Sequence, residues 1–155
     1  MQLLHAAANF TSASQELRSI YVTFVRSILE QSAVVWHSSL SFENRRDLER
    51  VQKAAVRVIL GKKYTSYNNG LKMLNLETLS KRRQTLCLRF ANNCIKNEKV
   101  RDFFPKNNPK HKMKKRKKKL IKIPIANTER YKKSAIPYMK KLLNKENEMK
   151  ESFMN

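Results

Sequence analysis

At 155 residues the chain is about one domain long and can bury one modest core. Its 34 Lys and Arg against 12 Asp and Glu give a formal charge of +22, which calls for a polyanionic partner, nucleic acid before an anionic membrane surface. Two glycines and four prolines leave few turns for a strand-rich fold and nothing for a glycine-rich phosphate loop, while the apolar runs are too short for a transmembrane helix.

In chain order, the start MQLLHAAANF lacks the charged flank and apolar core of a signal peptide. Ser14 can cap a first helix whose apolar side is Leu17, Ile20, Tyr21, Phe24, Val25, Ile28 and Leu29, the 3–4 spacing of one face. It runs toward Trp36, with Val34-Val35-Trp36 as an alternative separate turn. Ser41, with Glu43 in the first turn, opens a second helix through Leu48, Val51, Ala55, Val58 and Ile59, and Gly61 closes it. Ser66 to Leu74 suits a short helix carrying Tyr67, Leu71 and Leu74. Thr78 caps a third long helix with Leu79, Leu86, Cys87, Phe90, Ala91, Cys94 and Ile95 facing inward. Cys87 and Cys94 lie about two helical turns apart, roughly 10 Å of rise, too far for a disulfide, so the chain reads as intracellular and reduced.

The charge is uneven. Residues 1–105 carry 17 basic and 8 acidic side chains, and residues 106–155 carry 17 and 4. The break falls at Phe103-Phe104-Pro105. The expected architecture is all-α: three main helices and a short one over 1–105, a basic disordered connector over 106–133, and a C-terminal helix over 134–155.

No constellation marks catalysis. Asp47 and Asp102, the two aspartates, sit among arginines, where salt-bridge or solvated roles are favoured over metal binding. No paired carboxylates offer a magnesium site for nucleotidyl transfer, and His5, His37 and His111 lie far apart with no zinc spacing. Cys87 and Cys94 read as small core residues, and Trp36 as a core anchor before a base-stacking platform. The expectation is no catalytic residue, no metal, no cofactor, no small-molecule substrate and no membrane.

The positive signal is basic. Residues 110–122, KHKMKKRKKKLIK, hold nine Lys and Arg without one acid, among them Lys114, Lys115, Arg116, Lys117, Lys118 and Lys119. Such a run grips phosphate or serves as a nuclear or nucleolar address, with a solvated tail as the plain alternative. On the second helix Arg46, Arg50, Lys53 and Arg57 follow 4–3–4 spacing and share a face, which the spacing places opposite Leu48, Val51 and Ala55. Arg82 and Arg83 add a basic pair on the third. A solvated face and phosphate binding both fit these cations.

Four blocks then occur in order: LRSIYVTFVRSILEQSAVVWHSSLS (17–41), LERVQKAAVRVILG (48–61), LKMLNLETLSKRRQTLCLRFA (71–91) and TERYKKSAIPYMKKLLN (128–144). The series, from about Leu17 to Asn144, resembles the region that follows the polymerase core in the reverse transcriptases of Jockey-type non-LTR retrotransposons (LINE elements). The resemblance implies a helical thumb and post-thumb region that helps hold the template–primer, with Arg26, the Gln52-Lys53 pair and Arg82-Arg83 matching the family's blocks. It also implies a catalytic palm upstream of Met1, against which some apolar surface of the first helix would pack. The expected function is a non-catalytic fragment that binds RNA or DNA through the phosphate backbone, nuclear or nucleolar in location. The alternative is an independent basic RNA-binding protein of ribosomal or nucleolar type.

Overall fold

The structure is a computed structural model that describes residues 12–106 and 121–154. It is all-α: among the described residues no strand forms, and the β feature present is an isolated antiparallel bridge between Lys106 and Ile121. The first helix, α1, joins helical residues 12–20, a π-helical turn Tyr21–Val25 and the segment Arg26–Glu30. Ser32 then takes the left-handed conformation (φ +52°), which ends α1 and leaves Ala33–Trp36 as a separate turn, α2, continued by a 3-10 turn at His37–Ser39. The longer helices are α3 (Phe42–Leu60), α5 (Leu79–Lys96) and α7 (Ala135–Met154). The short ones are α4 (Tyr67–Met73) and α6 (Glu129–Lys132).

Local chemistry sets the boundaries of α3 and α4. The Ser41 hydroxyl accepts from the Asn44 N–H to open α3, and Gly61 at φ +49° closes it, a conformation that costs other residues about 1–2 kcal/mol. The Ser66 hydroxyl accepts from Asn69 N–H to open α4.

The chain divides into two compact units, one from residues 1–32 and 40–83, the other from 33–39 and 84–155. This division does not follow the charge break at residue 105, because tertiary contact rather than composition defines it. In the first unit Tyr21 of α1, Val56, Ile59 and Leu60 of α3, and Leu71, Leu74 and Leu76 form the core. Each such aliphatic side chain contributes about 1.5–3 kcal/mol on burial. Gly70 lets α4 approach α3: a Cβ there would stand 2.5 Å from Val56 Cγ1.

In the second unit Cys87 and Ala91 of α5 pack with Phe104, Ile121, and Met139, Leu142 and Leu143 of α7. His37 is buried edge-on to Tyr138, with ring centroids 5.7 Å apart, and Trp36 is half-buried. Asn92 of α5 donates to Glu146 of α7.

Three expectations need correction. Of the face assigned to the core of α1, Tyr21 and Leu29 do turn inward, but Leu17, Ile20, Phe24, Val25 and Ile28 are exposed, Phe24 at 65% and Ile28 at 71%. Beside Tyr21 and Leu29 the inward side holds Val22, packed on the core, and the polar Ser14, Arg18, Arg26 and Glu30, of which Arg18 bonds to Leu74 O and Glu30 to Arg82. On α3 the buried residues are Gln52, Val56, Ile59 and Leu60, while Val51 and Val58 face solvent, so the core side is rotated by roughly a quarter turn from the expected one. Finally, residues 121–133 are not a structureless connector. Ile121 is buried, with its N–H and C=O both bonded by the Asn144 side chain (2.9 and 3.0 Å), and Thr128 caps α6. The C-terminal helix expected over 134–155 is present as α7.

Candidate nucleic-acid interface

α3 carries its cations at positions that recur near one angle. At roughly 100° per residue, Arg46, Arg50, Lys53 and Arg57 fall within an arc of about 60°. All four are exposed, and Gln52 and Val56, which face the core, lie about a quarter turn away. Two exposed acids lie beside the stripe: Glu43, one turn before Arg46, and Asp47, whose carboxylate accepts from Arg50 at 2.9 Å, with both of these last side chains more than half exposed. An exposed pair of this kind is worth about 0–1 kcal/mol and yields to a phosphate. The Arg57 guanidinium lies over the Tyr64 ring at 5.3 Å, which limits its rotamers at little electrostatic cost. Lys62 and Lys63, in the 3-10 turn that follows, are exposed as well.

Arg82 and Arg83 do not join this stripe. Arg83 is fully buried in the line Leu79, Arg83, Cys87 and Ala91 along α5, so it is a packed residue and not an open phosphate ligand. Its charge is felt at the Tyr21 hydroxyl. The Arg82 Nε donates to Glu30 Oε1 at 2.5 Å, and Arg26 Nε stands 3.9 Å from the same oxygen. Burial lowers the pKa of Arg26, and the nearby Arg82 guanidinium lowers it further while Glu30 opposes both. One carboxylate thus serves two guanidiniums inside the first unit, offsetting one of their two charges, and both are engaged within the fold.

Gln52, the partner of Lys53 in the Gln-Lys pair, is likewise a structural centre. Its carbonyl oxygen accepts from the Tyr21 hydroxyl (2.7 Å), and its nitrogen donates to Glu77 O (2.8 Å) and the Tyr67 hydroxyl (3.0 Å). The Tyr67 hydroxyl donates to Glu49 Oε1 (2.5 Å), which also accepts from the Leu79 N–H. Burial raises the pKa of both phenols, helped at Tyr67 by the bond to Glu49. This network ties α1, α3 and α4 to the start of α5, and hydropathy reading missed it. The signal that could have found it is the spacing of Glu49, Gln52 and Val56, a helical line with two polar members.

Lys114, Lys115, Arg116, Lys117, Lys118 and Lys119 lie outside the described residues. The two ends of the stretch that holds them are described. Lys106 and Ile121 form the antiparallel bridge, Lys122 N–H donates to Pro105 O at 3.0 Å, and Ile121 is held by Asn144 as above. The two ends of the stretch, Lys106 and Ile121, therefore stand side by side in the second unit. Beside this neck the buried Lys140 ammonium sits 5.9 Å from the centre of the Phe104 ring, and burial lowers its pKa.

Among the described residues no group of three or more His, Cys, Asp or Glu could hold a metal ion, and no helix is long and apolar enough to cross a membrane. Compared with known proteins, the chain matches no protein-family model, no curated protein and no solved structure.

Proposed function

We propose that this chain is a non-catalytic, nucleic-acid-binding helical piece of a LINE-type reverse transcriptase, which grips the phosphate backbone of RNA or DNA without reading its sequence. The observation that carries the binding reading is the exposed row Arg46, Arg50, Lys53 and Arg57 on one side of α3, with the exposed acids Glu43 and Asp47 beside it. Four cations on one rigid face match the repeat of a backbone and release counterions when phosphates replace them. The Lys-rich run supplies a second, denser grip and an address to the nucleus or nucleolus. The retrotransposon parentage rests on the four ordered sequence blocks. An upstream polymerase core is the protein partner it implies.

The test is a salt series. Binding of the full chain to duplex DNA, measured between 50 and 200 mM salt, follows a log–log slope of about −0.9 per phosphate contact. The triple variant Arg46→Gln, Arg50→Gln, Arg57→Gln should flatten it by about two to three units, and Gln at Lys115, Arg116, Lys117 and Lys118 by up to about four. Slopes unchanged in both variants would sink the proposal. With a primed template, dNTPs and Mg²⁺ the chain should extend nothing above background.

A further inference from the structure

α4 ends in a pair of bonds that turn its last residues back: Leu76 N–H to Leu71 O (2.8 Å) and Asn75 N–H to Lys72 O (3.1 Å). This closure needs a left-handed residue, and here it is Asn75 at φ +49° in place of the usual glycine. It leaves the Leu74 carbonyl to be satisfied from elsewhere, and Arg18 of α1 does so, with Nε at 2.6 Å. One edge of the guanidinium is thereby fixed to the fold, and among the described residues its two terminal nitrogens have no hydrogen-bond partner, which leaves them for a ligand. Beside them opens a cleft of about 540 Å³, lined by Gln15, Arg18, Ser19, Met73 and Asn75 among others, with no acidic side chain among the described residues. That volume lies in the range of sites for small ligands, about 300–1,000 Å³.

The position of Arg18 selects among ligands. It sits at the C-terminal end of a helix, where the aligned carbonyl dipoles carry partial negative charge and oppose a free anion. A neutral ligand that presents adjacent acceptors is not opposed in this way. Arginine forks onto the N7 and O6 acceptors of guanine, and Asn and Gln carboxamides bond to base edges in the same plane. Unstacked bases of single strands are bound by such groups, and the half-exposed Met73 offers a thioether to an aromatic face.

We propose that this cleft binds one unstacked guanine base of a single-stranded nucleic acid, with Arg18 on N7 and O6 and the carboxamides of Gln15 and Asn75 on the rest of its edge. The inference rests on the nucleic-acid reading for the carrier of the base, but uses no residue of the α3 stripe.

GMP, AMP and inorganic phosphate would be titrated into the full isotope-labelled chain, with the Arg18 Nε–H and the Gln15 and Asn75 carboxamide signals followed by NMR. GMP should shift these signals saturably, AMP about tenfold or more weakly, and phosphate not at all. Asn75→Gly keeps the left-handed backbone while removing the carboxamide, and should weaken GMP several-fold with an unchanged melting curve. Arg18→Lys keeps the charge without the fork, and should weaken it about tenfold or more. Equal responses to GMP and AMP, or to GMP and phosphate, overturn the proposal, as does wild-type affinity in both variants. If duplex DNA binds with its expected salt slope while GMP does not, the cleft reading alone falls. If neither binds, the nucleic-acid reading falls with it.

Discussion

Arg82 of α5 meets Glu30 of α1 at 2.5 Å, an ion pair on the same inward side of α1 as the core residue Tyr21. Glu30 is 11% exposed and serves Arg26 as well, so its carboxylate is the shared counter-charge of two guanidiniums. Glu30→Gln should destabilise the first unit by about 1–3 kcal/mol, less than a fully buried pair because Arg82 is 34% exposed. Urea unfolding at neutral pH measures it. A loss below about 0.5 kcal/mol would show that apolar packing alone holds α1 in place.

Arg83 separates packing from binding. Its replacement by alanine empties a fully buried position between Leu79 and Cys87, and should cost about 2–4 kcal/mol. At a temperature where the variant is folded, its salt slope on duplex DNA should equal that of the parent chain.

The two glycines should respond to alanine for different reasons. At Gly70 the new methyl group meets Val56 at 2.5 Å and Leu60 at 3.1 Å, so overpacking should cost about 1–3 kcal/mol. Gly61 has open space around it, and its φ of +49° alone should cost about 1–2 kcal/mol. Adding space by Val56→Ala should relieve the first substitution and leave the second unchanged.

Alkaline pH should act through Tyr21 and Tyr67. Burial raises both phenols above their unfolded value near 10, so the folded state holds its protons where the unfolded state releases them. The stabilisation is complete below about pH 10 and is lost as pH climbs toward the raised values. Tyrosinate absorbance followed during an alkaline titration should rise for these two groups together with loss of helix, not before it. Tyr67→Phe should make the alkaline transition shallower.

The outward apolar row of α1 should contribute little to folding. Phe24→Ser and Ile28→Ser, both at exposed positions, should each change stability by no more than about 0.5 kcal/mol. Together they should lower the binding of an apolar dye. A loss of several kcal/mol would mean that this row is covered in solution.

How much of this was legible in the sequence depended on whether a signal is local. Ser41, Ser66 and Gly61 announce helix ends through bonds to their own neighbours, and the structure places the ends of α3 and α4 there. Periodicity located a face on α1 but could not say which way it points, since Arg18, Arg26 and Glu30 recur with much the same spacing as Leu17, Phe24 and Ile28. Their partners, Leu74 O and Arg82, are 56 and 52 residues away. Arg83 was read as surface because arginine usually is, although its position four residues from Leu79 and from Cys87 puts it in their line. The row Arg46, Arg50, Lys53 and Arg57 needed no distant partner, and its spacing alone brought it to one exposed side.

The bridge between Lys106 and Ile121 has a consequence for how the second unit tolerates change. Because Lys106 pairs with Ile121, and Ile121 is held by burial and by Asn144, the two ends of the lysine-rich stretch are pinned side by side, and a variant that changes the length between them keeps these anchors. Doubling that length should cost only about 0.6 kcal/mol in closure entropy. Adding or removing lysines between these ends, or inserting a sequence there, should therefore leave the anchors at Lys106 and Ile121 in place, a route to change the charge of the protein without changing the residues that hold the ends.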